Sequence, residues 1–413
     1  MDFFQVVPVP AARAQFLAAL GGRLTDVEEV PLLQALGRVT AGPVAAAADL
    51  PGFDRSTVDG FAVRAQDTFG AQESLPACLR LVGEVRMGRA PAFRLNPAEA
   101  APIATGGMLP AGADAVLMLE HSESLNAHEV GALRPVAPGE NVIRRDEDAR
   151  AGEPLLPGGR LVQPHDLGLL AAAGVTRLAV RRRPQVAVLS SGDEVVPPEQ
   201  EPAPGQTRDA NSYSLGGAVL ACGGEPLLLG ILPDRYEDVA EALRLAASRA
   251  DLVLVSGGSS VGTRDVTARA IAGLGGPGIL AHGVAVKPGK PTIIAVAGGT
   301  PVVGLPGHPV SALVVFQLLV RPVLRALLGL DPDAPDGPIL SAELGRNLAS
   351  AAGRLDVARV TLRHEGGRLV ADPLLGKSGL LSTMVRADGW VEVPEAREGL
   401  RAGETVQVHL FPR

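Results

Sequence analysis

Apolar residues recur at three- and four-residue steps from Ala11 to Leu20 and from Val30 to Leu36, with Gly21-Gly22 between the two runs. That period predicts two short helices within residues 10–50. Between Pro51 and about Val142 the pattern changes to short apolar segments, such as Leu79 to Val85 and Ala115 to Leu119, punctuated by Gly and Pro. A small β-rich domain, inserted into the helical one, is the reading of that stretch. Helical patterning resumes at Pro164, where Asp166 to Ala173 precede Gly174. Arg181-Arg182-Arg183-Pro184 follows and marks a boundary near 183. Three charges at such a junction read as a solvated connector.

From Gln185 to about Gly329 candidate strands and helices alternate: Val186 to Leu189, Tyr213 to Cys222, Leu227 to Ile231, Asp238 to Ser248, Leu252 to Val255 and Val266 to Ala272. Alternation of this kind specifies a parallel sheet with helices on both faces. Thr292 to Val296 and Val302 to Leu305 add two late strands, and Pro309 to Leu328 reads as one long closing helix. From Ile339 to Leu410 the pattern is β throughout, with turns expected at Gly366, Asp388 and Ala402. The expected architecture is a multi-domain α/β protein. It has a discontinuous helical and extended N-terminal domain (1–50 and 143–182), an inserted β-rich domain (51–142), an α/β sandwich (183–331) and an all-β, barrel-like C-terminal domain (332–413).

The 413 residues are 46% hydrophobic and 20% charged, enough to bury several cores and too apolar for a disordered chain. Fifty glycines and 35 prolines without a fixed period exclude a collagen-like repeat. A net charge of −7 supplies no broad basic field, so no nucleic-acid partner is expected. The two cysteines, Cys78 and Cys222, are far apart and outside any metal-ligand spacing, which fits a reducing cytoplasm. The N-terminus carries Asp2 and no basic stretch before an apolar one, and the longest apolar run, Val310 to Val320, is about half of the ~20 residues of a membrane span. A soluble cytoplasmic protein without a membrane partner is expected.

In an open parallel sheet, ligands bind where loops leave the carboxyl ends of the strands. Ser190-Ser191-Gly192-Asp193-Glu194 follows one predicted strand, and Ser256-Gly257-Gly258-Ser259-Ser260-Val261-Gly262-Thr263-Arg264-Asp265 follows another. The second loop has the small residues that let backbone N–H groups approach an anion, and a helix follows it. It lacks the Gly-Lys-Ser/Thr of a Walker A loop and the spacing of a dinucleotide fingerprint. Lys287-Pro288-Gly289-Lys290-Pro291 puts two ammonium groups on a proline-stiffened loop, suited to phosphate. Gly304-Leu305-Pro306-Gly307-His308-Pro309-Val310-Ser311 opens the closing helix, with Ser311 placed to cap it. Phosphates beside Asp193, Glu194, Asp234 and Asp265 point to a bridging Mg²⁺.

These residues, together with Pro51-Gly52-Phe53-Asp54-Arg55-Ser56-Thr57-Val58-Asp59-Gly60-Phe61-Ala62-Val63, Thr105-Gly106-Gly107 and Asp209-Ala210-Asn211, resemble in order the motifs of the molybdopterin molybdenumtransferases, the family that includes the gephyrin E domain. The resemblance spans nearly the whole chain. It implies an enzyme that takes adenylylated molybdopterin and molybdate, releases AMP and leaves molybdenum on the pterin dithiolene with the help of Mg²⁺. It also implies an elongated homodimer, and as partners the molybdopterin adenylyltransferase and molybdoenzyme acceptors. Carried over by position, the catalytic acids would be Asp59, Asp148, Glu194, Asp234 and Asp265, with Asp234 and Asp265 on the metal. Substrate contacts would come from Thr105, Ser256, Gly257, Gly258, Ser259, Gly262, Lys287, Lys290, Pro306, Gly307, Pro309, Ser311, Arg354 and Ser378. In the family, Asp59, Thr105 and Asp148 would meet the partner subunit's α/β domain. The chain departs from the pattern at His308, where members commonly have Asn, and at Phe61, where the signature has Tyr.

Two rival readings share parts of this pattern. Molybdopterin adenylyltransferases and nucleotide-processing relatives of the competence-damage family use the same α/β domain, but lack the Pro51 to Val63 signature and the C-terminal β domain. A non-catalytic dimeric scaffold would have no need of Asp59, Asp234 and Asp265.

Overall fold

The computed structural model describes residues 6–257, 261–335 and 337–411, with the side chains of all but 261–265. The chain forms two compact units, a larger one of residues 1–29, 37–41 and 179–413 and a smaller one of residues 30–36 and 42–178. Its principal helices are α1 (Val9–Ala19), α2 (Pro164–Ala172), α3 (Asn211–Ala221), α4 (Tyr236–Arg249) and α5 (Val261–Ala272), followed by a closing helix over Pro309–Leu327.

The smaller unit is built on six strands: β1 (Gly60–Val63), β2 (Ala77–Leu81), β3 (Glu99–Ile103), β4 (Ala115–Met118), β5 (Ser122–Asn126) and β6 (Glu129–Ala132). They are hydrogen-bonded in the order β4-β1-β3-β2-β6-β5. Both faces are covered. Val63, Ala100 and Leu117 enter one cluster with Leu79 and Val130, while their chain neighbours Ala62, Ala101 and Val116 enter another with Val85 and Ile103. Side chains that alternate between two buried faces make β1, β3 and β4 largely apolar runs, whereas β5 at the sheet edge is polar and mostly exposed. Gly60 is required by closeness: a Cβ there would stand 2.0 Å from the Leu117 carbonyl oxygen. The helix predicted over Val30 to Leu36 is replaced by the strand Val27–Pro31 and a single 3₁₀ turn, Leu32–Ala35. Pro31, with φ −54° and ψ 142°, holds the entry to that turn extended.

The larger unit contains β7 (Gln185–Ser191), β8 (Glu225–Leu232), β9 (Leu252–Gly257), β10 (Pro277–His282), β11 (Val286–Lys287), β12 (Ile293–Ala297) and β13 (Thr300–Pro306). All except β11 form one sheet in the order β8-β7-β9-β13-β12-β10. The first four are parallel, as the alternation of elements predicts; β12 alone is reversed, antiparallel to both of its neighbours, β13 and β10. The reversal follows from Gly298 and Gly299, both at positive φ, which join β12 to β13 as a hairpin. Val186, Val188, Leu252 and Leu254 pack toward α1, α3 and the closing helix, and Ala187, Leu189, Val253 and Val255 toward α4 and α5. Val9, Ala12 and Phe16 place α1 in this core. The N-terminal grouping expected for residues 1–50 is therefore split, because the apolar face of α1 is buried here.

The closing helix is long and apolar enough to cross a membrane by composition, and it is buried along most of its length in this core. It is α-helical over Pro309–Val315 and Arg321–Leu327, with a π turn over Phe316–Val320. Pro322 has no N–H to return to the preceding turn, which accounts for the wider loop. The C-terminal strands β14 (Ile339–Leu344), β15 (Leu355–Glu365), β16 (Arg368–Pro373), β17 (Gly389–Val393) and β18 (Thr405–Leu410) pair in the order β15-β16-β14-β18-β17, and β17 returns to β15 to close a barrel. Gly366-Gly367 and Gly403 form turns at positive φ. Asp388-Gly389 is no turn: Gly389 opens β17, where a Cβ would stand 2.2 Å from the His409 carbonyl oxygen.

The arginine triplet is a tie rather than a solvated connector. Arg182 Nη1 lies 2.9 Å from Asp251 Oδ2, Arg23 Nη2 lies 3.0 Å from Asp251 Oδ1, and the Gln185 N–H donates to Asp251 Oδ2 at 2.8 Å. Asp251 is 8% exposed, so removing it strands two guanidinium groups and an N–H. Asp251→Ala should cost about 3 kcal/mol in a urea titration, by the measure of other broken buried pairs. Arg23→Ala, at the 39% exposed end of the network, should cost clearly less.

Candidate functional site

The parallel strands β7, β9 and β13 end on one edge of the sheet, and the loops leaving them carry most of the residues predicted to bind substrate. Beyond that edge lies a cleft of about 660 Å³ between the α/β layers and the barrel. Gly257, Lys287, Lys290, Pro306, Gly307, Ser311, Arg354 and Ser378 all line it. Eight positions scattered along the sequence from Gly257 to Ser378 therefore converge on one cavity.

The lysine loop is held by backbone pairing. β11 pairs in parallel with the start of β15, placing Val286 opposite Leu355 and Lys287 opposite Asp356. Lys287 Nζ donates to Asp356 Oδ2 at 2.7 Å, and Ser350 Oγ reaches the same oxygen at 3.0 Å. Asp356 is 8% exposed while Lys287 is 48% exposed, so the ammonium group is anchored at the wall with its other donors toward the cleft. Gly289 sits at φ +129°, and a Cβ there would come 2.5 Å from Val315 Cγ2. Only glycine lets the loop lie this close to the closing helix.

Charge in the cleft opposes that of the whole chain. Lys287, Lys290, Arg354, Arg359 and Lys377 line it against one acid among the described residues, Asp356. Burial pushes the Arg359 pKa down, and Asp356 opposes that shift. Arg354 Nε is buried without a hydrogen-bond partner among the described residues, and so is the hydroxyl of Thr267, another lining residue. A concave surface with clustered cations and unspent donors suits a multiply charged oxyanion.

The closing helix presents its N-terminus to the same cleft. His308 is the N-cap, without a side-chain cap bond, and Pro309 is the first helical residue. Ser311 is buried inside the first turn instead of capping it. The open Val310 N–H is taken by the Ser378 carbonyl at 3.1 Å, and the Ser378 hydroxyl lies 2.8 Å from His308 Nδ1. Ser378 thus ties the barrel to the proline loop through both its backbone and its side chain.

Other predicted residues lie elsewhere. Ser256 is buried beneath the strand ends, and Glu194 is exposed. Asp234 accepts a hydrogen bond from Ser191 Oγ at 2.8 Å, and its N–H donates to Asp193 Oδ1 at 3.1 Å. Gly258 and Ser259 lie outside the described residues, as do the side chain of Asp265 and the surroundings of Gly262. In the smaller unit, the Thr105 N–H and hydroxyl donate to Asp59 Oδ1 at 2.7 and 3.0 Å, and hold its carboxyl below the usual carboxylate range. Gly106 N–H donates to the Ser56 carbonyl and Ser56 N–H to Gly107, so the signature and the Thr105-Gly106-Gly107 turn form one structure. Asp148 is exposed on a loop that Arg145 and Ala151 fasten to Asp49 and Asp54. Asp356 and Thr267 were missed as site residues. Asp356 lies two residues after Arg354 in the sequence, but only the register of β11 against β15 shows its partner.

Comparison with known proteins covers the chain from end to end. Three family descriptions match: "MoeA N-terminal region (domain I and II)" over residues 7–174, "Probable molybdopterin binding domain" over 187–326 and "MoeA C-terminal region (domain IV)" over 341–411. Molybdopterin molybdenumtransferase 2 of Mycobacterium tuberculosis is 37% identical over 92% of this chain and 94% of its own. The molybdopterin molybdenumtransferase of Bacillus subtilis is 30% identical over 98% of this chain and 94% of its own. A solved molybdopterin biosynthesis moeA protein from Pyrococcus horikoshii OT3 superposes with a TM-score of 0.84 at 32% identity, covering 98% of this chain and 100% of that one.

The Asp59–Thr105 contact sets a pH dependence with a defined sign. A depressed carboxyl contributes stability above its unfolded pKa of about 3.9, and that contribution is lost as pH falls through the lower folded value. Thr105→Val removes the hydroxyl and leaves the backbone donor, so the Asp59 titration followed by carboxyl ¹³C NMR should move upward toward the ordinary value. An unchanged midpoint would mean that the hydroxyl plays no part in holding the charge.

Proposed function

The chain belongs to the MoeA family, and on that premise we propose that it is a molybdopterin molybdenumtransferase, which takes adenylylated molybdopterin and molybdate, releases AMP and leaves molybdenum on the pterin. The observation that carries the reading is the cationic cleft, where among the described residues five basic side chains face one acid in a protein of net charge −7. Both proposed substrates are oxyanions. Curated relatives that bear this activity in their names match through both flanking regions as well as the α/β domain. Such coverage supports the transferase over an enzyme built on the α/β domain alone.

In this reading Lys290, Arg354 and the anchored Lys287 bind and orient the anions, the proline loop and Ser311 shape the floor, and Ser378 holds barrel and loop in register. Mg²⁺ is assigned to Asp234 and Asp265. No group of three or more His, Cys, Asp or Glu side chains is arranged around a metal among the described residues. The donor set fits a cation held by one or two carboxylates with substrate phosphates supplying the rest, the usual coordination of Mg²⁺. When bound, the ion would neutralise charge on the phosphate being cleaved. Ser191 orients the Asp234 carboxylate for that duty. Asp59, Thr105 and Asp148 are assigned to the partner subunit's cleft in a homodimer, which the family resemblance supports.

The direct test is incubation with adenylylated molybdopterin and molybdate, following AMP release and metal on the pterin; no AMP release by the wild-type protein would sink the reading. Lys290→Ala should weaken substrate binding by about 1–3 kcal/mol without a change in fold. Lys287→Ala is the less clean variant, because it also leaves the buried Asp356 without its cation. Asp265→Asn should melt within a degree or two of wild type, since the position lies within α5 beyond its first turn, where Asn and Asp have similar helix propensity. That variant should nonetheless lose most Mg²⁺-dependent AMP release in single turnover. Wild-type release at ordinary magnesium would remove this carboxylate from the mechanism.

A further inference from the structure

Ser190 and Ser256 are register partners near the ends of β7 and β9, both are buried, and their hydroxyl oxygens lie 3.2 Å apart. Ser190 Oγ is also 3.1 Å from Ser212 Oγ and 2.9 Å from Asp209 Oδ1. The same carboxylate oxygen accepts the Ser212 N–H at 3.0 Å. A carboxylate only accepts, and a serine hydroxyl has one proton to give. The Ser190 proton therefore goes to Asp209, and both Ser212 and Ser256 donate to Ser190 Oγ. One buried acid thus sets the direction of three hydroxyl groups. Two residues further on, Asn211 Nδ2 donates to the Gly307 carbonyl at 2.9 Å, directly after β13. Asp209 is 7% exposed and Asn211 8% exposed, and neither lines the cleft.

We propose that Asp209 and Asn211 are positioning residues for the transferase reaction: their segment clamps the ends of β7, β9 and β13, and so fixes the loops that leave the sheet at Gly257 and Gly307 on the rim of the cleft. The reaction named here rests on the preceding reading; the clamp itself does not. The ladder holds the three strands together up to Ser191, Gly257 and Pro306, and the loops begin where that pairing stops. The segment supplies a further constraint through four hydrogen bonds from two side chains and the hydroxyl they organise, Asp209 to Ser190 and Ser212, Ser190 to Ser256, and Asn211 to Gly307. Apolar residues of the same volume would fill the space without fixing a direction.

Four variants separate a clamp from a space-filler: Asp209→Ala, Asp209→Asn, Asn211→Ala and Asn211→Asp. Steady-state AMP release, measured well below each melting temperature, gives kcat and KM for adenylylated molybdopterin. Hydrogen–deuterium exchange of peptides covering residues 252–257 and 303–308 reports the strand ends without reference to activity. Asp209→Asn keeps an accepting oxygen and should behave as wild type in both. Asp209→Ala, Asn211→Ala and Asn211→Asp should raise KM about tenfold or more, the cost of a lost buried hydrogen bond, and speed exchange in the affected peptides. Asn211→Asp is the decisive case, since it keeps shape and burial while losing the donor to Gly307. Wild-type KM and exchange in Asn211→Asp and Asp209→Ala, with only a lower melting temperature, would overturn the proposal; so would an Asp209→Asn variant as impaired as Asp209→Ala. If the wild-type protein releases no AMP, the activity reading fails while the exchange data still decide the clamp.

Discussion

The cleft depends on two residues of parallel pairing. β11 leaves the α/β layers and runs beside the start of β15, so that Lys287 meets Asp356 at the bottom of the barrel wall. Two ladder residues would hold nothing alone. They are reinforced by Ser350 on the same carboxylate, by the Leu355 N–H donating to the Ala285 carbonyl at 2.9 Å, and by Ser378 reaching across to the closing helix. The lysine loop is thereby a shared edge of both layers, and the space it borders inherits groups from each. Arg354 and Ser378 come from the barrel side, Gly257, Gly307 and Ser311 from the sheet side.

That arrangement explains how much of the molecule is readable from the chain. Val186 to Leu189 and Leu252 to Val255 are uninterrupted apolar runs because every residue faces one of two buried clusters, and such runs announce strands. Loops rich in Gly, Pro and Lys announce the strand ends equally well, because unusual backbone is confined to few residue types. Less visible was anything decided by distant partners. The apolar face of α1 carries no mark of which core receives it, and only the packing of Val9, Ala12 and Phe16 shows its allegiance. Pro31 turned a helical period into an extended segment with one tight turn. Arg182 read as solvated because Asp251, sixty-nine residues away, is invisible to a local pattern.

The same distinction governs charge. A net −7 describes the average surface, which offers no broad attraction to a polyanionic partner. It says nothing about a concave region into which five of the 38 basic residues have been gathered. Local field follows from topology, since Lys287, Arg354, Arg359 and Lys377 become neighbours only when the barrel strands close around β15.

The π turn in the closing helix has a consequence for how this element could change over evolutionary time. Phe316–Val320 carries the wider turn, while Val323, Leu324 and Leu327 beyond it are locked in the core and Ser311 before it faces the cleft. The wide turn takes in one residue more than an α turn, so losing one residue there would restore a regular α-helix with both halves keeping their faces. Losing one from the α-helical segment on either side would instead rotate one half against the other by about 100°. The core half is immobilised by its packing, so that rotation would fall on the half that lines the cleft, and Ser311 would swing out of it. The turn behaves as slack between two halves of one rod, absorbing a change of length that the segments flanking it would pass on to the cleft.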